Sequence, residues 1–600
     1  MTKRLFTLIA IFLFFTGVHA ETIKTDVLVI GGGSSGVAAA IQAARSKVKT
    51  LLIEPGPWLG GTMTMGGMCV LDGNRNLPAG IWGEFRRKVT DYYRNRLGYD
   101  TSHNAVLRFE PSVGASILKK ITDTVKNLTV KLKTRWTLVK KDGTGWLVEI
   151  TVNGEIVKVE AKILVDGTET GEVASKAGVK FARETTNVTD RAPDEIGDIT
   201  WIAILKDFGR GEDKTIAKPD GYDPSLYDYF KGKDIKSILK TIAIPNDKYV
   251  LNWPEGSING MRLKTDNKDE LYKKAKLRTL GLIYYLQTAR GFKNLGLDNE
   301  FGTADRMAMI PYLKESRRAI GLVRMVPDDM QKPYSRESKL YRTSIGVGEN
   351  FYDNSFALTY AADAPDVTIQ YRSPYSIPLG AIVARDVDNL LVTEKAISVT
   401  GLVNVSTMYP SVQMTLGQGV GATAAFCAFF KTTTKHLNVR IIQGELLDFK
   451  GYLLPFTDIT QKDPHFRAIQ QVSATGLLKG IENINGSAIE IHFQPNDSVS
   501  TEEIRPVMNE LYTRFFLWFN KEKPGEKFTL GNLLSFISDY TLTDPQTLQP
   551  LVQKLWKPVL KLPGEPDVHR ACTRREFAVL ANKYLNPFAK TVDISGKVVN

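Results

Sequence analysis

A glycine-rich turn between two apolar runs near the amino terminus constrains the fold of this chain more than any other feature. Residues 26–30 predict a strand buried on both faces, and residues 37–44 predict a helix of small residues. Gly31 permits a tight bend, Gly33 lets a phosphate approach the backbone, and Gly36 lets the helix pack on the strand. The candidates for phosphate binding at the positive end of this helix are Gly31, Gly33, Ser34, Ser35 and Gly36.

A second strand and an acid follow at the spacing of a dinucleotide-binding unit. Residues 50–53 are apolar and end at Glu54, where a carboxylate would bond the hydroxyls of an adenosine ribose. Such an acid disfavours a 2′-phosphate, so FAD or NAD fits better than NADP. A second glycine-rich loop, with Gly60, Gly61 and Thr62 as further candidates, resembles the loop that large flavoproteins lay along the pyrophosphate. A simple NAD domain needs no such loop, so the pattern favours FAD.

Composition excludes several classes of protein. With 43% hydrophobic and 24% charged residues, 49 glycines and 27 prolines in 600, the chain is globular rather than fibrous or disordered. The formal net charge of +13 is spread without a run of like charges, so we expect no nucleic-acid partner. Cys69, Cys427 and Cys572 are far apart and odd in number, which excludes a disulfide framework, a zinc site and an iron–sulfur cluster. No metal site is predicted.

Residues 1–20 have the pattern of a secretory signal peptide. Two basic residues precede the apolar run 5–15, and residues 18–20 end in small side chains at the positions that a signal peptidase reads. The run is about half of the roughly 20 residues that a membrane-spanning helix needs. We therefore expect a secreted or periplasmic protein that begins near Glu21 and has no membrane span. An uncleaved anchor is the alternative.

Later segments have the pattern of strands that return to the same domain. Residues 136–159 predict paired strands, with a hairpin turn at Asn153-Gly154. Residues 161–166 are an apolar run that ends at Asp166, a further cofactor-binding candidate. The predicted strand therefore ends in an acid, as the second strand does.

A last apolar run and a helix of small residues follow the middle of the chain. The run 388–392 precedes Glu394, and residues 411–425 are dominated by small and apolar side chains that permit close helix approach.

From residue 25 to residue 430 the sequence resembles secreted bacterial FAD-dependent oxidoreductases of the group that includes the flavin subunit of heterodisulfide reductase and, more distantly, fumarate reductase flavoproteins. The resemblance implies FAD as cofactor, with the amino end of the 411–425 helix at the pyrimidine edge of the flavin. It makes Gly417, Gln418 and Gly419 the candidates on this helix for contact with the flavin, and a plain, tightly packed helix is the alternative. Relatives carry Ala-Gly-Arg where this chain has Thr393, Glu394 and Lys395. An acidic side chain is therefore expected near the flavin, and altered or lost flavin binding stays open. The cysteines of the iron–sulfur relatives are missing.

The same resemblance identifies a candidate catalytic segment. Residues 312–321 match the family's Glu-Ser-Arg-Arg segment, with Glu315, Arg317 and Arg318 as catalytic candidates. Adjacent arginines bind a carboxylate or stabilise an oxyanion that develops beside a flavin, and Glu315 could orient one of them. A structural ion-pair network between two domains is the alternative.

After residue 450 the sequence resembles degenerate surface-layer homology repeats. One copy contains Ser500 and Glu503, and a second contains Thr573 and Glu576. In each pair we expect the hydroxyl to cap a helix while the acid reaches back to the cap. Such repeats form helical bundles that hold anionic wall polymers, so a cell-envelope polymer is an expected partner. The alternative is a bundle that packs only on the rest of this chain.

The expected fold is α/β: a Rossmann-type FAD-binding domain with an inserted α+β substrate domain, followed by a mostly α-helical C-terminal domain. The predicted boundaries are 1–20 for the signal peptide, 21–182 and 374–440 for the FAD-binding domain, 183–373 for the insertion and 450–600 for the C-terminal domain. The expected function is hydride transfer between a small or carbohydrate-derived polar substrate and flavin N5. The alternative is a non-catalytic envelope-binding protein that retains the flavoprotein fold.

Overall fold

The computed structural model describes most of the chain beyond residue 21. The described ranges are 22–185, 190–191, 195–196, 199–253, 261–262, 267–349, 373–485 and 488–599. The predicted signal peptide, residues 1–20, lies outside the described residues. Within these ranges no helix combines the length and apolar character needed to cross a membrane.

A seven-stranded sheet forms the centre of the first half of the molecule. Its strands are β1 (Ile23–Ile30), β2 (Thr50–Glu54), β3 (Leu128–Leu132), β4 (Arg135–Asp142), β5 (Gly145–Val152), β6 (Glu155–Asp166) and β7 (Leu390–Val392). Their order is β3-β2-β1-β6-β5-β4, and β7 pairs with β6. The neighbours β3, β2, β1, β6 and β7 run parallel. On the other side of β6, β5 pairs antiparallel with β6, and β4 pairs antiparallel with β5. The apolar residues of β1 from Val27 to Ile30 are fully buried, because both faces of the sheet are covered.

The carboxyl ends of four parallel strands meet at one edge of this sheet. Ile30 at the end of β1 pairs with Ile53 on β2 and with Asp166 on β6. Asp166 in turn pairs with Val392 on β7. The loops that follow these strands are therefore neighbours in space, although more than 350 residues separate the first from the last.

Two helices rich in small residues pack against each other beside this edge. They are α1 (Ser34–Arg45) and α2 (Pro410–Phe429). Gly417 and Gly421 of α2 lie against the backbone of Ser35 and Ala39 of α1, where an added methyl group would overlap the carbonyl oxygens. Small residues thus set the close helix approach that the sequence predicts.

The inserted region contains a four-stranded antiparallel sheet flanked by helices. The strands, in sheet order, are Ala243–Ile244, Lys248–Leu251, Ala203–Asp207 and Leu295–Leu297. The helix Lys268–Thr288 begins at Asn267, whose side-chain oxygen accepts the N–H groups of Asp269 and Glu270. This mixture of an antiparallel sheet and helices confirms an α+β insertion.

The remaining elements connect these layers. The further helices up to residue 448 are Gly80–Tyr93, Pro111–Asp123, Glu172–Lys176, Ile235–Thr241, Pro327–Gln331, Gly401–Thr407 and Val439–Asp448. The longer of the further strands are Ser344–Glu349 and Pro374–Pro378, which pair antiparallel. The two-residue strands are Val70–Leu71, Leu107–Arg108, Glu184–Thr185, Asp190–Arg191, Glu195–Ile196, Ile199–Thr200, Met261–Arg262 and Tyr312–Leu313.

The chain beyond residue 450 is mostly helical. Its helices are Phe466–Ser473, Thr501–Leu511, Thr513–Glu522, Leu530–Thr541, Pro545–Leu555 and Arg574–Leu580, accompanied by the hairpin Ile481–Asn485 and Ala488–His492. Aromatic side chains fill the bundle core, with Phe536 against Phe515 and Trp518. The predicted fold class is thereby confirmed, while the domain boundaries stay predictions.

The two predicted helix caps of this bundle have different outcomes. Thr573 and Glu576 form the reciprocal cap: the Thr573 hydroxyl accepts the Glu576 N–H at 3.2 Å, and the Glu576 carboxylate accepts the Thr573 N–H at 2.9 Å. The prediction for Ser500 and Glu503 is wrong, because the Ser500 side chain makes no cap hydrogen bond. The Glu503 carboxylate instead binds Arg574 at 2.7 and 2.8 Å.

A latch of buried arginines joins the C-terminal bundle to the rest of the molecule. Arg342, which is 1% exposed, binds Glu510 of the bundle at 2.7 Å and donates to the Gly596 carbonyl at 3.3 Å. Arg440 donates from Nε to the Lys590 carbonyl at 3.2 Å and from Nη1 to the Arg342 carbonyl at 3.2 Å. Three regions of the chain therefore meet at one point.

Candidate functional site

The glycine turn after β1 has the tight geometry that the sequence predicts. Gly31 adopts a φ of +102°, and a methyl group there would overlap the Gly167 carbonyl in the loop after β6. The Gly31 N–H donates to the Ile53 carbonyl at 2.9 Å. A methyl group on Gly36 would overlap the Gly31 carbonyl. The turn therefore requires glycine at both positions, while their role toward a cofactor stays a prediction.

Glu54 at the end of β2 supports this turn directly. Its carboxylate accepts the Gly32 N–H and the Gly56 N–H, each at 2.7 Å. Burial raises the pKa of Glu54, although these two N–H groups act against the shift. A carboxylate has about four acceptor positions. Glu54 therefore retains acceptor capacity for the ribose hydroxyls that the sequence predicts here.

The second glycine loop packs directly on the first. The Gly60 N–H donates to the Gly32 carbonyl at 2.8 Å, and the Ser34 hydroxyl donates to the Gly60 carbonyl at 3.3 Å. A Cβ on Gly61 would lie 2.9 Å from the Gly33 Cα. The two loops, both proposed to follow a pyrophosphate, thus touch each other through their backbones.

The carboxylate of Glu394 occupies the amino end of α1. Its Oε1 accepts the Ser35 N–H at 2.7 Å and the Gly36 N–H at 3.2 Å, and it lies where a side chain on Gly33 would extend. Glu394 is 2% exposed. Burial, together with the negative charge of Glu169, raises the pKa of Glu394 to about 8. The acid that the sequence places near a flavin therefore lies at the predicted phosphate position.

Asp166, predicted to bind cofactor, holds its own loop. One carboxylate oxygen accepts the Thr168 N–H at 2.9 Å and the Thr168 hydroxyl at 2.6 Å, and the other accepts the Ala174 N–H at 2.7 Å. Burial raises the pKa of Asp166 to about 6 despite these bonds. The side chain thus orders the segment that carries Glu169, and its contact with a cofactor stays a prediction.

The three candidates on α2 contact the protein itself. Gly417 packs on Ser35, and Gly419 packs on Ile345. Gln418 donates to the side chain of Gln42 and to the Phe449 carbonyl, each at 3.0 Å. These contacts fix α2 against α1. A contact with the flavin stays a prediction for all three residues.

The candidate catalytic segment is buried and lies against the loop after β6. Arg317 donates from Nε to the Thr170 carbonyl at 2.9 Å, and its guanidinium lies 4.7 Å from the centre of the Phe181 ring. Arg318 lies 3.9 Å from the carboxylate of Glu315, and both side chains are almost fully buried. Arg317 thus joins the insertion to the sheet domain, and the catalytic role of the segment stays a prediction.

Two charged residues that the sequence did not predict as site residues link these parts. Glu169 accepts the Thr62 hydroxyl at 2.9 Å and binds Lys395. Lys395 also donates to the Leu313 carbonyl at 2.7 Å and is 1% exposed. The signal available in the sequence was that each charge lies three residues after the end of a buried strand of the sheet. The network connects the second glycine loop, through Thr62, to the segment that carries the arginines.

One family model matches this chain. It is described as FAD dependent oxidoreductase and covers residues 26–446. A search of curated proteins found no match.

Solved structures show more limited similarity. p-Nitrophenol 4-monooxygenase PnpA from Pseudomonas putida DLL-E4 is 12% identical over 73% of this chain and 87% of its own, with a TM-score of 0.32. A geranylgeranyl bacteriochlorophyll reductase-like protein from Thermoplasma acidophilum is 12% identical over 84% and 100%, with a TM-score of 0.31. L-proline dehydrogenase from P. horikoshii is 20% identical over 28% of this chain and only 24% of its own, with a TM-score of 0.17. TM-scores of this size leave the family model as the basis of the assignment.

The residues at the sheet edge fit the ADP half of FAD at all but one position. The strand, turn and helix are those of a dinucleotide site, and Glu54 stands where the ribose acid belongs. The exception is Glu394, which takes the N–H donors of Ser35 and Gly36 that a diphosphate would need. FAD therefore fits once that carboxylate has moved away from the helix.

Proposed function

Because the chain belongs to the family of FAD-dependent oxidoreductases, we propose that it is an exported enzyme that moves a hydride between a small or carbohydrate-derived polar substrate and N5 of the flavin. FAD is the cofactor, and it supplies the two-electron acceptor or donor of this reaction when bound. The family assignment favours this function over a non-catalytic envelope-binding protein.

The residues of the sheet edge have distinct roles in this proposal. Glu54 would hold the adenosine ribose, and the N–H groups of Ser35 and Gly36 would hold the diphosphate. Arg317 places a buried positive charge where the insertion meets the sheet domain. Fixed cations at such a place bind a polar or anionic substrate group and stabilise negative charge that develops during the reaction.

The position of the arginine segment is the observation that carries the proposal. Arg317 donates to the Thr170 carbonyl, in the loop that follows β6 at the same sheet edge as the glycine turn. The insertion thus brings a guanidinium to the edge at which α/β sheets bind their ligands. A substrate held by the insertion would face the cofactor there.

Substitution of Arg317 tests this role. The first step is to test 2-hydroxy acids, aldoses and uronic acids for a compound that bleaches the oxidised flavin under anaerobic conditions. With a reducing compound in hand, R317A should retain FAD but lose about two or more orders of magnitude in reduction rate, as removal of one stabilising donor does. R317K keeps the charge without the planar guanidinium, so its rate of flavin reduction should lie between those of the wild type and R317A. R385A is the control, because Arg385 lies outside the segment and likewise donates from Nε to a carbonyl, that of Gly321 at the end of the segment. Equal reduction rates in R317A and R385A would contradict the role.

Export and envelope binding are further parts of the proposal. The secretory pattern of residues 1–20 supports export, and the repeat-like C-terminal region supports a cell-envelope polymer as partner. Amino-terminal sequencing of protein recovered outside the cytoplasm should find Glu21 as the first residue. Sedimentation with purified cell-wall polymer tests the partner, and failure to co-sediment would contradict it.

A further inference from the structure

The amino end of α1 is already occupied by an acidic side chain of the protein itself. The Glu394 carboxylate accepts the N–H groups of Ser35 and Gly36, and a side chain on Gly33 would overlap it. These are the positions at which a dinucleotide-binding turn receives its pyrophosphate. The carboxylate and a diphosphate cannot use the same donors at the same time, and two anions so close would also repel each other.

We propose that Glu394 is an internal competitor of the FAD diphosphate, so that the cofactor binds only when this side chain leaves the amino end of α1. The binding free energy of every dinucleotide that binds here would be reduced by the cost of displacing the carboxylate. The competition is directed at one part of the ligand. A nucleoside without phosphate would not need the helix donors and would not displace Glu394.

The backbone conformation at Glu394 is one that favours glycine. Its φ is +54°, in the left-handed region that favours glycine. The position is set by β7, whose last residue Val392 pairs with Asp166, and by the Thr393 N–H, which donates to the Asp166 carbonyl at 3.0 Å. Glycine can therefore replace Glu394 without backbone strain. The carboxylate can be deleted while the turn that carries it is retained.

Among the described residues, Lys395 is the cation that acts on the Glu394 carboxyl, and its charge works against the raised pKa. Lys395 on the same turn is engaged by Glu169 and by the Leu313 carbonyl. Glu169, in the loop after β6, is a like charge, and the first turn of α1 carries no acidic residue. Glu54 accepts the Gly32 N–H on the other side of the turn. The carboxyl group is therefore held mainly by backbone amides, which a diphosphate can take over.

Protonation weakens this competitor. Burial raises the pKa of Glu394 to about 8, so the carboxyl group is mostly neutral at neutral pH and becomes charged above that value. A neutral carboxyl neither repels a diphosphate nor binds the helix end as strongly as a carboxylate does. Affinity for diphosphate ligands should therefore fall as the pH rises through about 8, in addition to any change in the ligand itself.

The test compares ligands with and without the diphosphate on the full chain from residue 21, freed of flavin. FAD binding is followed by quenching of flavin fluorescence, and ADP and adenosine binding by calorimetry. We expect E394G to bind FAD and ADP roughly tenfold or more tightly than the wild type, with adenosine unchanged. E394Q, which keeps an acceptor but loses the charge, should show a smaller gain.

The control removes a neighbouring charge that does not touch α1. E172Q changes the first residue of the helix Glu172–Lys176, beyond the loop that carries Glu169, and should leave all three affinities unchanged. Between about pH 7 and about pH 9, the affinity of the wild type for ADP should fall. The affinity of E394G for ADP should change less over the same range, because this variant lacks the titrating carboxyl group.

Several outcomes would overturn the proposal. Equal FAD affinities in the wild type and E394G would show that the carboxylate does not compete. An equal gain for ADP and adenosine would show an effect on the whole site rather than on the diphosphate. Lack of FAD uptake by both proteins would show that Glu394 does not control binding. None of these results depends on the proposed substrate, which is tested separately through Arg317.

Discussion

The glycine turn and the C-terminal bundle each place an acidic side chain at the amino end of a helix, but they stabilise it differently. Glu394 is held by two backbone N–H groups of α1. Glu503, in the first turn of Thr501–Leu511, is held by both contacts to the guanidinium of Arg574, which is 2% exposed. A charge held by amides can be removed by protonation or replaced by another anion. The charge of Glu503 depends chiefly on the buried guanidinium of Arg574, and the Lys479 N–H adds one hydrogen bond at 3.2 Å.

The two regions also achieve close packing in different ways. At the turn, backbones touch because glycine removes the side chains, as at Gly417 against Ser35. In the bundle, the space between helices is filled by large rings such as Phe536 and Trp518. Added volume should therefore damage the turn, whereas lost side-chain contacts should damage the bundle.

Removal of the buried Arg574 guanidinium should have the largest effect on stability. R574A removes the cation that pairs with Glu503 and deletes the donor to the Phe493 carbonyl at 2.7 Å, so we expect a loss of about 3–5 kcal/mol in the free energy of unfolding of the bundle. Urea unfolding followed by tryptophan fluorescence measures it. R514A is the matched control, because Arg514 and Asp539 form a half-exposed pair expected to contribute about 0–1 kcal/mol. Equal losses of unfolding free energy in R574A and R514A would contradict the expected difference between a buried and a half-exposed ion pair.

Added volume at the turn should have the next largest effect. The methyl group of G417A would overlap the Ser35 backbone, so α1 and α2 must separate, at a cost of about 1–3 kcal/mol. The control is G444A in the helix Val439–Asp448, where the nearest atom is on Arg467 at 3.9 Å. That variant should be stabilised by up to about 1 kcal/mol. Thermal unfolding measures both changes, and a neutral G417A would refute the close-packing explanation.

Titration of Glu394 should have a smaller effect that depends on pH. A carboxyl group whose pKa is raised in the folded state contributes stability that is full at low pH and lost as the pH rises through the folded value, here about 8. Between about pH 7 and about pH 9 the flavin-free wild type should lose about 1 kcal/mol relative to E394Q. Unfolding of both proteins across this range measures it. Parallel pH profiles would contradict the raised pKa.

The smallest effect concerns the two predicted caps. T573A should cost about 1 kcal/mol, because the Thr573 hydroxyl accepts the Glu576 N–H at the start of Arg574–Leu580. S500A should cost less, because the Ser500 hydroxyl makes no cap bond. The two variants are compared by urea unfolding, and a larger loss for S500A would show that the assigned caps are reversed.

Local patterns were enough to predict the parts of the fold that depend on neighbouring residues. The strand, turn and helix around Gly31 follow from apolar runs and glycines within about 20 residues. The hairpin of β5 and β6 follows from Asn153-Gly154, both of which adopt positive φ. The cap at Thr573 also lies within one short segment.

Long-range contacts account for what the sequence did not predict. Glu394 reaches α1 only because β7 pairs with β6, a partnership across more than 220 residues. Glu503 fails to cap its helix because Arg574, 71 residues later, takes its carboxylate. Gln418 bonds to Gln42 and to the Phe449 carbonyl. In each case a polar side chain had several feasible partners, and tertiary packing selected one.

The arginine latch also determines how force would pass through this molecule. A pull on the bundle would reach Arg342 through Glu510 and the Gly596 carbonyl. Arg342 lies two residues before the start of the strand Ser344–Glu349, in which Gly346 packs against the backbone of α2. Tension applied to the carboxyl-terminal helices would therefore be transmitted to the helix that lies against the glycine turn. The bundle is mechanically continuous with the cofactor domain and is not a freely hinged tether.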